Sequence, residues 1–254
     1  VSLNEVGGDP AIFGITKNDF CRFMQKRRQK WSYSLNASTT HDTKRGEDIR
    51  ARINVLSEMP KQWQVKLYQW HKINITKKKK INSLIFPDKN IEYFIYQTLI
   101  GTFPFAGLSG VDQVYIKRIQ EYLLKSVREA KIYTSWSNPY VPYEKALINF
   151  IAEILKPGGQ KSNQFLHDLY SFQKIISHYG LLNSLSQVVL KITCPGVPDF
   201  YQGTELWDFR LVDPDNRSPV DYTCRINYLE DIQLKKKKRY LDLLEDVIAK
   251  PEDG

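Results

Sequence analysis

The sequence has few cysteines, and the three it has suit neither a disulfide framework nor a zinc site. Cys21, Cys194 and Cys224 are far apart and odd in number, and none lies in a Cys-x-x-Cys pair or a Cys/His cluster. The pattern predicts no metal or other cofactor. Unpaired thiols indicate a reducing compartment, so we expect a cytoplasmic protein.

Long apolar runs are also missing. No stretch of about 18 apolar residues occurs, and the sequence contains no signal peptide. We therefore predict no membrane span and no membrane partner. The chain starts at Val1 without Met and opens in a Gly-Gly-Asp-Pro loop. From this start we expect a segment cut from a longer polypeptide.

The positive charge is local. The net charge is +9, but residues 77–80 and 235–239 contain nine basic residues, and the remaining bases and acids balance at 28 each. Such runs are usually solvated loops or helix faces. Because no reader motif accompanies them, we expect no nucleic-acid partner. A basic helical interaction module built on the two runs remains an alternative.

Strand signals are scarce, and two short segments carry them. They lie within residues 32–38 and 192–201, with about 150 mostly helical residues between them. Isolated strands are not stable, so each must pair with a neighbouring strand. We interpret the two as adjacent strands of a parallel barrel, separated by a large helical insertion.

Helical periodicity dominates the rest of the chain. Apolar side chains recur at spacings of three and four, which is typical of helices with one buried face. The predicted helices lie near residues 16–31, 49–56, 63–70, 91–99, 119–127, 147–155, 165–176, 182–192 and 227–249.

Residues 39–45 form the first candidate site. The sequence Thr-Thr-His-Asp-Thr-Lys-Arg places an acid, an imidazole, hydroxyls and two cations at a strand-to-helix junction. In a β/α barrel, catalytic groups occupy such junctions. An imidazole can bond sugar hydroxyls while the adjacent acid stays ionised near developing positive charge. The alternative is an ordinary helix start, capped by a Thr or Asp side chain.

The second candidate site spans residues 195–208 and continues into residues 212–217. This part of the chain is interrupted by Pro and Gly, and it contains acidic residues together with Arg, Gln, Tyr and Trp. Loops of this composition commonly carry binding groups. Flat aromatic rings beside polar donors and acceptors suit a polyhydroxylated ring. A rigid connecting loop, with acids that cap its turns, is the alternative.

These motifs together resemble the maltooligosyltrehalose synthase family of the α-amylase superfamily. The resemblance rests, in order, on residues 2–10, 40–52, 128–136, 195–208 and 213–217, and covers almost the whole chain. It implies a mainly α chain: a fragment of a (β/α)8 barrel, comprising its last strands and helices, with a large helical insertion subdomain. The family isomerises the reducing-end α-1,4 linkage of maltooligosaccharides to α,α-1,1, a step of trehalose biosynthesis.

The resemblance also implies a domain division. Residues 1–58 would form barrel strand seven and its helix, residues 59–190 the helical insertion, and residues 191–254 the return to the barrel. The return contains strand eight, a substrate loop and the last helix.

The family motifs assign site residues by position. Asp42 would be the third catalytic carboxylate, which distorts the sugar and stabilises the oxocarbenium-like transition state. The implied substrate-binding residues are His41, Lys44, Arg45, Tyr201, Asp213, Asp215 and Arg217.

The chain departs from the family pattern in three respects. In the family, the nucleophile and the acid/base belong to strands four and five, which we expect upstream of Val1, and we expect the C-terminal β-domain to lie outside this chain. Ser218 stands where a second Arg is expected beside Arg217. We therefore expect the isolated chain to be inactive without the remainder of its polypeptide. An α-glucan hydrolase, another transglycosylase of the superfamily, and a scaffold fragment without autonomous function remain alternatives.

Overall fold

A computed structural model describes residues 2–4, 8–40, 42–213, 215–238 and 240–250. The chain is mainly helical, as predicted. The helices are α1 (Lys17–Lys30), α2 (Glu47–Val55), α3 (Pro60–Asn74), α4 (Lys89–Thr102), α5 (Gln113–Ala130), α6 (Val141–Ile154), α7 (Gln164–Thr193), α8 (Tyr222–Lys238) and α9 (Tyr240–Ala249). The strands are β1 (Leu35–Asn36), β2 (Lys79–Ile81), β3 (Leu84–Phe86) and β4 (Val197–Pro198).

The two strands predicted at the ends of the helical region pair with each other. β1 and β4 are parallel, with Leu35 opposite Val197 and Asn36 opposite Pro198. This confirms that two short strands, far apart in sequence, are parallel neighbours. A parallel pair needs a long crossover connection, and helices α2 to α7 with the β2–β3 hairpin fill it.

A glycine permits the close approach of these strands. Gly196 precedes β4 with φ +130°, a conformation that favours glycine. A Cβ at this position would lie 2.6 Å from the carbonyl oxygen of Ser34 and 2.6 Å from Oδ1 of Asn36. The Pro-Gly interruption of the apolar segment therefore lets β4 start directly beside β1.

The basic run at residues 77–80 is solvated only in part: Lys79 and Lys80 are exposed, whereas the side chains of Lys77 and Lys78 make contacts within the protein. Its second half forms strand β2, which pairs antiparallel with β3. Lys78 is only 3% exposed and donates to the Glu92 carboxylate at 2.7 Å, and Lys77 donates to Asn74 at 3.0 Å. The contacts with Asn74 of α3 and Glu92 of α4 thus draw in the first two lysines, and the two lysines in strand β2 keep their side chains in water.

Capping side chains mark the starts of helices α1 and α8. Thr16 accepts a hydrogen bond from the Asp19 amide at 3.1 Å, and α1 begins at the next residue. Helix α8 begins at Tyr222, five residues before the predicted start at Asn227. The reason is that Asp221 accepts a bond from the Cys224 amide at 2.9 Å and caps the helix there.

The chain divides into two compact units. Unit 1 comprises residues 1–51 and 181–254, and unit 2 comprises residues 52–180. The core of unit 2 is aromatic. Trp70 is fully buried and contacts Tyr96, Phe165 and Phe172 edge to face, and its indole N–H donates to Asp168 at 2.7 Å.

The first and last residues of unit 2 meet. Gly180 of α7 lies so close to Arg52 of α2 that an added Cβ would be 2.9 Å from the Cα of Arg52. The Arg52 guanidinium turns inward and donates to the carbonyl oxygens of Gly101 and Phe103 and to the Ser177 hydroxyl. Unit 2 therefore starts and ends at one point.

Two features are absent from the part of the chain that the structure describes. No described helix has the length and apolar character needed to cross a membrane. Within the same described ranges, no group of three or more His, Cys, Asp or Glu side chains is arranged to hold a metal ion.

Candidate functional site

Asp42 lies in a tight turn that follows β1. The Thr40 amide donates to the Thr43 hydroxyl oxygen at 3.0 Å, and that hydroxyl donates to the Thr40 carbonyl oxygen at 2.8 Å. Asp42 is exposed within this turn. His41, which the motif assigns to substrate binding, lies outside the described residues.

The helix-capping interpretation holds for Thr39. Its hydroxyl oxygen accepts a hydrogen bond from the amide of Glu47, the first residue of α2, at 3.2 Å. One residue of this polar segment thus caps helix α2, whereas Asp42 remains exposed. Lys44 is exposed as well.

Arg45 joins the first segment to the second. It is 9% exposed, and its backbone forms an antiparallel bridge with Leu211. The amide of Leu211 in turn donates to the Asp215 carboxylate at 2.7 Å. Arg45 and Asp215, both predicted to bind substrate, therefore hold the two segments in place.

Asp48 ties α2 to the second segment. It is 6% exposed and accepts hydrogen bonds from the Asp208 amide at 2.8 Å and from the Ser184 hydroxyl. The pKa of Asp48 is raised to about 6, mainly by burial; the two hydrogen bonds oppose this increase, and the nearby Glu47 and Asp208 carboxylates add to it.

Arg210 stabilises the second segment through hydrogen bonds to two of its residues. Arg210 donates to both carboxylate oxygens of Asp208 at 2.8 Å and to the carbonyl oxygen of Gln202 at 3.0 Å. Two-point binding of this kind fixes geometry more strongly than a single hydrogen bond. The loop that carries Tyr201 is therefore held rigidly from inside.

The remaining predicted residues lie near one another on the surface of this loop. Arg217 is 73% exposed and binds Asp213 through two hydrogen bonds of 2.9 and 2.8 Å, and Asp213 raises the pKa of Arg217. The Tyr201 hydroxyl donates to the Asn216 carbonyl oxygen at 3.3 Å. Ser218 donates to the Asp215 carbonyl oxygen, which is a turn contact.

Sequence reasoning missed a buried ion pair behind both segments. Lys191 of α7 and Glu47 of α2 are 7% and 8% exposed, and their charged atoms lie 3.0 Å apart. The available signal was a lysine that interrupts the apolar stripe ending at Ile192. Its partner lies 144 residues away in sequence, so spacing gave no indication of the pair.

In the second basic run, the first lysine is bound in ion pairs and the next, Lys236, is exposed. Lys235 forms ion pairs with Asp231 at 2.9 Å and with Asp246 at 2.7 Å. Lys77, Lys78 and Lys235 are thus bound within the chain, whereas Lys79 and Lys80 are exposed.

Comparison with known proteins identifies the relatives of the chain. No family model matches it. A Mycobacterium tuberculosis protein named "Putative maltooligosyl trehalose synthase" is 37% identical over 236 residues, which are 93% of this chain. A crystal structure of a maltooligosyl trehalose synthase matches 96% of the chain at 41% identity, with a TM-score of 0.79. The chain is homologous to one segment of the maltooligosyltrehalose synthases.

That segment is a minor part of each maltooligosyltrehalose synthase. The chain spans 28% of the length of the Mycobacterium protein and 31% of the first structure. The maltooligosyltrehalose synthase of Arthrobacter ramosus matches 91% of the chain at 33% identity, with a TM-score of 0.74, and the chain covers 28% of it. The resemblance inferred from the motifs is thus confirmed, and it concerns a part of these enzymes.

Proposed function

We propose that this chain supplies the third catalytic carboxylate and the substrate loop of a maltooligosyltrehalose synthase. The observation that carries the proposal is the parallel pairing of β1 with β4. Residues 39–45 and 199–217 both follow the carboxyl ends of these paired strands. Enzymes built on (β/α)8 barrels place their active sites at that end of the barrel.

The same proposal assigns the finer fold. β1 would be barrel strand seven and β4 strand eight, with residues 1–58 and 191–254 in the barrel and residues 59–190 as the helical insertion. The division of the chain near residues 52 and 180 supports this assignment. The remaining strands would come from the rest of the polypeptide.

The proposed reaction is an intramolecular glucosyl transfer. A nucleophilic carboxylate and an acid/base carboxylate, both outside this chain, would cleave the reducing-end linkage by double displacement. Asp42 would stabilise the oxocarbenium-like transition state, because an ionised carboxylate favours positive charge developing beside it. Its exposed place in the Thr40–Thr43 turn supports this role.

The proposed substrate contacts fall into two groups. His41, Lys44, Tyr201, Asp213 and Arg217 would bond the glucose units directly. Arg45 and Asp215 are held in contacts between the two segments, so they would shape the pocket. The cleaved glucose must stay enclosed until its anomeric hydroxyl attacks, which needs many fixed groups around one sugar.

A cytoplasmic location belongs to the same proposal. Cys21, Cys194 and Cys224 are free thiols, which supports a reducing compartment. The other two carboxylates of the mechanism would lie outside this chain, so the isolated chain would be inactive.

The first test uses the full-length polypeptide that carries this chain, incubated with maltopentaose. The mutase proposal predicts loss of reducing ends with little free glucose. Asp42→Asn removes the stabilising charge and should lower kcat by at least about 100-fold. Reducing-sugar and glucose assays on the same samples measure both products.

The matched control is Asp231→Asn, an exposed acid on α8 outside the site, which should keep the wild-type rate. A gain of reducing ends would instead identify an α-glucan hydrolase. Release of free trehalose would favour another transglycosylase of the superfamily. Full activity in Asp42→Asn would contradict the role of this carboxylate.

A further inference from the structure

The ammonium of Lys191 contacts the residue that precedes the first segment of the candidate site and a ring within the second segment. It donates to the Ser38 hydroxyl oxygen at 2.8 Å and to the Glu47 carboxylate at 3.0 and 3.3 Å. On another side it lies 4.1 Å from the centroid of the Phe200 ring, within the range of a cation–π contact.

These contacts occur where the two segments leave the paired strands. Ser38 follows the last residue of β1 by two positions and directly precedes the segment that contains Asp42. Phe200 follows the last residue of β4 by two positions and directly precedes Tyr201. One buried ammonium therefore contacts the chain just beyond the end of each paired strand.

Ser38 is held from several sides. Its hydroxyl donates to the Glu47 carboxylate, and its carbonyl oxygen accepts a hydrogen bond from Arg50. Both contacts come from helix α2, which directly follows the Asp42 turn. The position of Ser38 is thus fixed by α2 and by Lys191 together.

A buried ion pair is a poor way to gain stability. Removing two charges from water offsets much of their attraction, and apolar residues of similar size often serve as well. An ion pair here does something that an apolar pair cannot do: the ammonium binds a hydroxyl, a carboxylate and a ring at defined distances. The arrangement specifies geometry at the start of both segments.

We propose that Lys191 is a positioning residue for the transfer reaction. It sets the spacing between the turn that carries Asp42 and the loop that carries Tyr201, so that the cleaved glucose stays enclosed while it turns over. This inference rests on the proposed function. A wider gap admits water to the intermediate, and water converts a transfer into hydrolysis.

The test uses the full-length enzyme with Lys191→Met combined with Glu47→Gln, which removes both charges and leaves no unpaired one. Turnover of maltopentaose should fall about 10- to 100-fold, because small displacements of positioned groups cost that much. The share of turnovers that release glucose should rise. Lys191→Arg keeps the charge and should restore part of the wild-type share.

Milder variants test each link separately. Phe200→Leu removes the ring and Ser38→Ala removes the hydroxyl, and both leave the Lys191–Glu47 pair in place. Phe200 is 42% exposed, so its replacement should not prevent folding. The matched control is Lys66→Met in unit 2, where the lysine binds Asp168 at 2.7 Å and lies 5.9 Å from the Phe172 centroid.

The outcomes separate the two proposals. Raised glucose release in the folded Lys191, Phe200 and Ser38 variants, but not in Lys66→Met, supports the positioning role. A wild-type glucose share and kcat in these folded variants would overturn it and leave the mutase proposal standing. A wild-type enzyme that never consumes reducing ends would overturn both. If the double variant does not fold, Phe200→Leu and Ser38→Ala decide.

Discussion

At the scale of single residues, Asp48 links protonation to stability. Its native pKa is raised to about 6 from a usual value of 3.8. Between these values the native state binds more protons than the unfolded state, so the free energy of unfolding falls as pH rises from about 4 to about 6. A shift of this size corresponds to at most about 3 kcal/mol.

Asp48→Asn should flatten that part of the stability curve. The amide oxygen can still accept the Asp208 N–H, and the cost of burying a charge disappears. We expect the variant to match the wild type near pH 4 and to equal or exceed its stability at pH 7. Urea unfolding of both proteins at several pH values measures the difference. Parallel curves would contradict the prediction.

The candidate site was only partly predictable from its residues. The exposed turn with Asp42 follows from a polar run after a strand, which local sequence reveals. The roles of Asp48 and Lys191 do not follow from local sequence, because their partners lie 136 to 160 residues away. Charges that depend on such distant contacts become apparent only in the folded chain.

At the scale of elements, the crossing of α2 and α7 depends on one glycine. Alanine at position 180 would favour the helix by up to about 1 kcal/mol. However, its Cβ would lie 2.9 Å from a backbone atom of Arg52, which cannot move aside as a side-chain end can. Overpacking of this kind costs about 1–3 kcal/mol, so Gly180→Ala should destabilise unit 2.

Thermal unfolding of the chain measures this effect. A loss of 1 kcal/mol lowers the Tm by about 2–4 °C for a protein of this size. Gly159→Ala is the matched control, because no atom lies within 4 Å of the added Cβ. Equal Tm values for the two variants would contradict the prediction, because they would show that α2 and α7 can accommodate the added Cβ without loss of stability.

The secondary structure could be predicted where the spacing of apolar residues was regular. It was missed where a run of one residue type left no such spacing to see. Helix α3 contains the apolar stripe predicted near residues 63–70, and it starts at Pro60, a residue type favoured at the first helical position. Strand β2 was missed because four consecutive lysines hide any alternation of buried and exposed side chains. Its place depends on Glu92, a buried acid that binds Lys78 and His71.

At the scale of the whole molecule, unit 2 has the properties of an independent folding unit. Its size lies within the usual range of domains, and its core contains Trp63 and Trp70 at 6% and 0% exposure. We expect residues 52–180 alone to give helical far-UV dichroism and one cooperative thermal transition. Trp70→Ala should cost about 3–5 kcal/mol in this fragment. A broad, non-cooperative transition would contradict the expectation.

The contact between Gly180 and Arg52 also bears on how such a chain can change during evolution. Because unit 2 returns to the point where it began, a gene can lose it, acquire it or exchange it for another version in one recombination event. If unit 2 is lost, a few residues can connect the two chain ends that remain, because these ends lie close together. Homologues should therefore differ here by the gain or loss of whole blocks, with the flanking strands kept in register.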